Sequence, residues 1–341
     1  MKRASNRKAV TIEDVAARAG VSRSLVSIVL RGVPGASDAN RAKVMRAADE
    51  LSYRRDHRAR LLGSTRSGTI GVTFGLHDET HGEIVEALYG SSTTFGLELM
   101  LSPTAPTRSE GRAAQSLLDY RCEGLILIGS SLTRRDLEVL ADRVPVVLVT
   151  RSVRSPKIDV VRTDDVAGAR LAVEHLARLG HRRIAHVHGG RVAGAAERRA
   201  GYRQAMRRAG IAQHVSLIAG GRTEQDGWVA AEQLIGGAST AVFAYNDQSA
   251  AGLIGRFREA GVKVPGRMSV VGYDDSRLAR SPAFSMTTVA QDSEALATHA
   301  LELMVRRNGV SHLDATEVVV PPRLVVRTTT GPCADGHGSD R

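Results

Sequence analysis

The residues best suited to chemistry lie near the N-terminus, where Arg23, Ser24, Ser27, Ile28 and Arg31 fall on one side of a short helical pattern. Val26, Val29 and Leu30 take the other side, at i, i+3 and i+4. A mostly polar, cationic face opposite an apolar stripe is what a helix needs to enter the major groove of DNA. Arg23, at the helix start, can fork onto guanine O6 and N7, and Ile28 can meet a thymine methyl. Ser22 and Ser27 suit phosphate oxygens. The competing reading is an ordinary solvated face with Ile28 as a stray apolar residue. Charge decides between the two. Of the net +11, residues 1–66 hold 15 Lys and Arg against 6 Asp and Glu, a surplus of nine, while the remaining 275 residues carry +2. Positive charge gathered in one fifth of a chain is the footprint of a phosphate-rich partner.

Three short helices must position that face. Thr11, with Asp14 three residues on, is close to a capping box. Ile12, Val15, Ala16 and Ala19 then recur at helical spacing, and Gly20 supplies a left-handed stop. Ser22 caps the second helix directly afterwards, leaving the tight glycine-containing turn of a helix-turn-helix. A third helix starts near Ser37 and buries Val44, Ala48 and Leu51.

Beyond Thr69 the pattern changes. Strand-like apolar runs at 69–74, 97–101, 124–128, 144–149, 183–187, 241–245 and 269–272 alternate with helical stretches such as 166–179 and 248–260. Such alternation implies βαβ units, parallel sheets and helices on both faces. Ligands of such sheets sit outside the carboxyl ends of the strands. Asn246 and Asp274 follow strands, and an amide and a carboxylate suit the hydroxyls of a sugar or the edges of a nucleobase; Asp274 can instead cap the following turn. Trp228, the one tryptophan, suits the apolar face of a sugar ring or a core equally.

Other signals point away from catalysis. His186 and His188 share a strand face as two metal ligands would, but no third ligand is in view, so a structural role is expected, with no metal and no other cofactor. Gly189-Gly190 does not complete a GxGxxG pattern, and neither GxSxG nor a Walker A sequence occurs. Cys122 and Cys333, far apart, argue against a disulfide framework and fit a reducing cytoplasm. The basic start MKRASNRKAV leads into no apolar segment, and the apolar runs are strand-sized, so neither a secretory signal nor a membrane span is expected.

TIEDVAARAGVSRSLVSIVLRG resembles the headpiece of the lactose/galactose repressor (LacI/GalR) family, and the likeness continues through SDANRAKVMRAADELSYR and RRDHRARLLGSTRSG. RTDDVAGARLAVEHLARLGHRRIAHVHGG, ERRAGYRQAM, FAYNDQSAAG, SVVGYDDS and PPRLVVRTTT match sensor motifs of that family in order, so the resemblance spans residues 10 to about 330. It implies an all-α helix-turn-helix headpiece at 1–57 and a hinge helix and linker at 58–66. After these it implies an α/β effector-binding and dimerisation domain at 67–332, of periplasmic-binding-protein type, with two Rossmann-like lobes crossed by several chain passages. A disordered tail is expected at 333–341. The resemblance also implies that the hinge folds on DNA, with Leu62 entering the minor groove and Arg58 on phosphate, and that Arg198 in ERRAG contacts the effector, a structural ion pair being its alternative role.

Departures from the family pattern matter as much. Ile28 stands where most members carry arginine, Arg31 where asparagine is usual and Arg55 where many have proline, so the operator sequence is this protein's own. After the first strand, GLHDETHGEI lacks the usual Asn-Pro-Phe stretch and puts His77, Asp78 and His81 there, which marks an unusual effector. The expected protein is a cytoplasmic, repressor-type transcriptional regulator. It acts as a homodimer on pseudo-palindromic double-stranded operator DNA and answers to a sugar or nucleoside. GPCADGHGSDR contains no heptad for a tetramer. A pure solute-binding protein would need a signal sequence and no basic headpiece. An α/β enzyme would need an acid/base or nucleophile constellation at the cleft.

Overall fold

The computed structural model describes residues 10–31, 34–53, 67–309 and 313–334. Contacts divide the chain into Met1–Ser67 and Gly68–Arg341. The first unit contains α1 (Ile12–Ala19), α2 (Arg23–Arg31) and α3 (Asp38–Glu50). Thr11 Oγ1 accepts the Asp14 N–H at 3.3 Å, and the Asp14 carboxylate accepts the Thr11 N–H at 2.8 Å, so the capping box forms. Gly20, at φ +66°, turns its N–H back onto the last carbonyls of α1, a conformation that costs a residue with a Cβ far more. Ser22 Oγ takes the Leu25 N–H at 3.2 Å and Ser37 Oγ the Asn40 N–H at 3.4 Å, starting α2 and α3. Val15, Ala16, Val26, Val29, Val44, Ala47 and Ala48 form the core. Leu51 is only half-buried, because α3 ends at Glu50 and leaves it as the cap; Ala47 takes the interior place.

The second unit holds two lobes. In the first, β1 (Thr69–Gly75), β2 (Glu98–Thr104), β3 (Gly124–Ile128), β4 (Val146–Val149), β5 (Asp159–Thr163) and β11 (Glu317–Val320) align in the order β11-β5-β4-β3-β1-β2, every pairing parallel. Helices α4 (Glu79–Ser92), α5 (Glu110–Asp119), α6 (Arg134–Ala141) and α12 (Ser293–Gly309) belong to it. In the second, β6 (Ile184–His188), β7 (Ser216–Ala219), β8 (Ala241–Ala244), β9 (Ser269–Asp274), β10 (Thr288–Ala290) and β12 (Arg323–Val325) align as β12-β10-β9-β8-β6-β7, with the edge pair β10–β12 antiparallel. Its helices are α7 (Asp165–Arg178), α8 (Ala195–Arg208), α9 (Glu224–Glu232), α10 (Asp247–Glu259) and α11 (Arg277–Arg280).

The central strands GLILI and VVLV are buried along their whole length, as strands covered by helices on both faces must be. The chain passes between lobes after β5, after β10 and after β11, and α12 returns Leu296, Ala300 and Leu301 to the core of the first lobe. These crossings set the carboxyl ends of both sheets against one cleft.

One expectation fails at the C-terminal end. Cys333 does not begin a disordered tail: it is buried beside Gly180, and its N–H donates to the Leu179 carbonyl at 2.8 Å. The segment before it is tied down by Thr329 Oγ1 donating to Val270 O at 2.7 Å and by the His181 ring at 3.1 Å from Gly331 O. Residues 335–341 lie outside those described.

Candidate functional site

The outward face of α2 presents Arg23, Ser24 and the cap Ser22, all exposed. Arg23 Nε lies 3.1 Å from Glu13 Oε1, both side chains largely in solvent. Ser27 and Ile28 are half-buried, and Ile28 leans on the turn at Gly35. The Arg31 side chain, Arg58 and Leu62 lie outside the described residues.

Between the lobes, the cleft is organised by Arg198 on the first turn of α8. Its Nε donates to Asp165 Oδ1 at 2.8 Å, its Nη1 to the Tyr245 carbonyl at 2.6 Å, and its Nη2 lies 4.0 Å from Asp274 Oδ1. The guanidinium carbon also sits 3.6 Å from the Tyr273 ring centroid and 4.6 Å from that of Tyr245. Burial is the largest single influence and opposes its charge, but Asp165 and the other acidic groups around it together outweigh burial and hold the guanidinium protonated. Asp165 carries the direct bond, so Asp274 is the weaker partner. Burial pushes the Asp274 carboxyl well above the ordinary range, with Arg198 offsetting only part of this. Gln291, at a lobe crossing, donates to Asp274 Oδ1 at 2.7 Å.

The facing wall comes from the first lobe. Asp78 caps α4 by accepting the His81 N–H at 3.2 Å, and His81 Nδ1 accepts the Gly75 N–H at 3.0 Å. Burial lowers the His81 pKa, with Asp78 opposing, so the ring is neutral and keeps its proton on Nε2. Thr150 at φ 68° and Asp274 at φ 115° both line the cleft, in a backbone region that non-glycine residues adopt only rarely. The deep part, between Arg198, Asp274 and His81, is a cavity of about 30 Å³, enough for one water. It adjoins a cavity of about 390 Å³ lined by Asp78, Ser131, Arg151, Arg191, Arg222 and Tyr245, within the range of small-molecule sites. A larger depression of about 600 Å³, around Ile254, Val264, Pro282 and Phe284, flanks the loop into β9, so volume alone does not find the site.

Arg198, Asp274 and Asp78 thus lie together, and Asn246 borders the same deep cavity. Both polar atoms of the Asn246 amide are committed, however. Its Oδ1 accepts the Ser249 N–H at 2.9 Å as the N-cap of α10, and its Nδ2 donates to Arg222 O at 3.0 Å. His77 points elsewhere: it is exposed, and only its carbonyl is used, by Gln248 Nε2 at 3.3 Å. Trp228 is also a correction. It lines neither cavity, and its ring covers Gly255 on α10 with the Arg256 guanidinium 5.8 Å away, because α9 and α10 approach too closely to leave it free. His186 is stacked on Phe243 at 4.7 Å, and burial pushes it to about 3; His188 Nδ1 accepts the Gly190 N–H. Gly189 lies where any Cβ would strike the Tyr245 ring and Gly190 takes φ +70°, which explains the glycine pair without a dinucleotide.

Sequence reasoning missed Asp165, Tyr245, Tyr273 and Gln291. Asp165 follows β5, and recognising that strand was the signal that would have brought it to the cleft. No group of three His, Cys, Asp or Glu among the described residues is arranged to hold a metal ion, and no helix among them is long and apolar enough to cross a membrane.

With this geometry in place, comparison with known proteins is direct. The family model for bacterial regulatory proteins of the lacI family matches residues 11–56, and the model for a periplasmic binding protein-like domain matches 173–330. The HTH-type transcriptional regulator DegA of Bacillus subtilis (strain 168) is 31% identical over 331 residues, covering 94% of this chain and 98% of that protein. The crystal structure of a LacI transcriptional regulator from a Rhodococcus species is 43% identical, with a TM-score of 0.76 over 77% of this chain and 98% of that one. The crystal structure of the lac repressor dimer bound to operator and the anti-inducer ONPF superposes with a TM-score of 0.83 at 30% identity, over 95% of this chain and all of that one. Full-length likeness on both sides, joined to a capped helix-turn-helix and a two-lobed cleft, places this chain in the lacI family of bacterial regulatory proteins, the DNA-binding transcriptional regulators.

Proposed function

We propose that this regulator is a repressor that binds a pseudo-palindromic double-stranded operator as a homodimer and senses a small sugar- or nucleoside-like effector between its lobes. One observation carries the reading: an exposed Arg23–Ser24 face on a capped helix-turn-helix coincides with the surplus of nine positive charges in residues 1–66. The Arg23–Glu13 pair is exposed and worth under about 1 kcal/mol, so Arg23 exchanges Glu13 for a guanine edge at little cost. Ser22 spends a lone pair on the Leu25 N–H and keeps its O–H for a phosphate. Ser24, Ser27 and Arg31 extend the contact, and Ile28 meets a thymine methyl. The hinge at 58–66 adds Arg58 on phosphate and Leu62 in the minor groove. One headpiece at 1–57 reads too few base pairs alone, which is why two copies are required; the lac repressor, seen as a dimer on operator, is the precedent.

The effector lies in the sensor domain at 67–332, against Arg198, Asp274, Asp78 and His81, with Asn246 setting the α10 end of the wall. The protein acts by binding and release, with no catalytic step, in the cytoplasm where its DNA lies. Selection of duplexes from a random pool with the full chain tests the DNA half. A preferred palindrome should emerge, its affinity falling steeply with salt as counterions are released. Arg23→Ala should weaken binding by about 1–3 kcal/mol and relax one position in each half-site. Binding without sequence preference, or insensitive to salt, would overturn the reading.

A further inference from the structure

We propose that the effector is acidic: a polyhydroxylated molecule carrying a phosphate ester or carboxylate, seated against Arg151, Arg191 and Arg222. This rests on the cleft being the effector site, as argued above. All three arginines line the outer cavity of about 390 Å³. Arg151 Nη1 donates to the carbonyls of Ser130 at 2.8 Å and Leu132 at 2.7 Å, which fixes the guanidinium without neutralising it. Arg191 and Arg222 are exposed, and among the described residues neither side chain has a hydrogen bond or ion pair. The carboxylates lining the same cavity are Asp78 and Glu197, and Asp78 is already committed to capping α4.

The contrast with Arg198 is the point. Deep in the cleft the guanidinium is matched by Asp165 and approached by Asp274, so it makes no net demand for an anion. At the lip, three guanidiniums outnumber two carboxylates. A neutral ligand closing over them would remove them from water without a counter-ion, which is costly; a phosphate or carboxylate removes that cost with charge-assisted hydrogen bonds. The N-terminus of α8 adds to the same potential, since Gly194, its N-cap, offers no side chain and lines this cavity. The Tyr245 ring beside it supplies an apolar surface for the body of the ligand.

The test uses the full chain in thermal-shift and calorimetric titrations with glucose, glucose 6-phosphate, galacturonate and inorganic phosphate. An acidic probe should raise the melting temperature and bind more tightly at low salt. Its affinity should fall about ten-fold or more in the Arg191→Gln/Arg222→Gln double variant. Both residues are exposed, so that variant should melt with the parent when no probe is present. Glucose 6-phosphate against galacturonate separates phosphate from carboxylate recognition. Tight binding of glucose that the double variant leaves unchanged would overturn the acidic assignment and leave the effector cleft standing. Acidic probes binding parent and variant alike would overturn it too. No stabilisation by any of these or by a wider set of sugars and nucleosides would overturn the effector reading and this assignment with it.

Discussion

On the second lobe's wall of the cleft, Arg198, Asp165, Tyr245, Tyr273 and Asp274 are interlocked by contacts reaching across up to 76 positions of chain, and all of them are buried. On the first lobe's wall, Asp78 and His81 satisfy backbone groups within a few residues, and Ser131 is tied to Glu110 by bonds of 2.7 and 3.0 Å. The first kind of wall is preorganised by the fold of its lobe; the second is set by helix caps and loops that can change without disturbing a core. For the effector site proposed above, this assigns the general geometry of capture to the second lobe and the choice of ligand to the first lobe and the arginine lip.

The largest expected effect breaks the first wall. Arg198→Ala leaves Asp165 buried without its partner, and urea unfolding should show a loss of about 3–5 kcal/mol. Asp78→Ala, on the facing wall, removes one helix cap and should cost about 1 kcal/mol. Similar costs for the two would erase the contrast.

Next in size is a pH effect of opposite sign on the two sides. Asp247, under the second wall, is bonded to Ser276 and Thr288, and burial pushes its pKa to about 7. An unfolded aspartate titrates near 3.9, so the folded state keeps a proton that the unfolded chain releases, and the resulting stabilisation is lost as pH rises through 7. Asp247→Asn should therefore gain on the parent by on the order of a few kcal/mol between pH 4 and 8. His81, lowered chiefly by burial, has the reverse sign: its contribution is present above the unfolded value near 6.5 and is lost on acidification. His81→Gln should gain on the acid side. Parallel melting curves for parent and variants across this range would contradict both assignments.

How much of this was legible depended on whether a residue's partner lies nearby in sequence. The headpiece was, because Thr11–Asp14, Gly20 and Ser22 are local signals and its core follows helical spacing. The central strands GLILI and VVLV were, as uninterrupted apolar runs. β5 was not: DVVRT carries an aspartate and an arginine, which read as a loop until Asp159 is seen fully buried against Arg307 at 2.5 Å and the Thr316 N–H at 2.7 Å. The short or edge strands β7, β10, β11 and β12 were hidden for lack of length or of an apolar face. In the site, Asp274 and Asn246 were visible by position after a strand. The Arg198–Asp165 pair needs two lobe elements packed together, and no spacing encodes that.

A smaller effect concerns how the walls are held together. Across the flank of the cleft, Arg277 meets Glu86 at 2.8 Å, Arg280 meets Glu83 at 3.4 Å, and the Leu278 N–H donates to Glu79 at 3.4 Å. Three acids on one face of α4 thus meet α11 of the other lobe. The Arg277–Glu86 pair is largely exposed and worth under about 1 kcal/mol in stability, whereas Glu83 is mostly buried and depends more on Arg280. Reversing both arginines, Arg277→Glu with Arg280→Glu, sets like charges opposite one another and should favour a more open pair of lobes. Small-angle scattering should show a larger radius of gyration, and any loss of unfolding free energy should come from Arg280, which also lies 3.5 Å from the buried Asp275. An unchanged profile would mean that closure is held elsewhere, by Gln291, bonded to Thr163 at 2.7 Å and to Asp274, and by Gln248 on the His77 carbonyl.

The smallest effect is expected at Trp228, and it sharpens the comparison by its absence. As the one tryptophan it is the natural residue to suspect of stacking on a ligand, yet its ring lies over Gly255 and beside Arg256 between α9 and α10. The contact with Arg256 is long, and that guanidinium is already paired with Glu232 and Glu259, so the ring contributes chiefly by packing. Trp228→Phe keeps an aromatic face and should lower stability only through lost packing, by about 1 kcal/mol or less. Effector affinity and operator release should stay within about two-fold of the parent, a difference under about 0.5 kcal/mol. Fluorescence excited selectively at tryptophan gives an independent view, since the sequence has one tryptophan: emission should move little when the cleft fills and strongly when the helices unfold. If Trp228→Phe abolished the effector response while leaving the melting temperature in place, α9 would have to enter the cleft in another arrangement of the lobes, and the second wall would not be the fixed one.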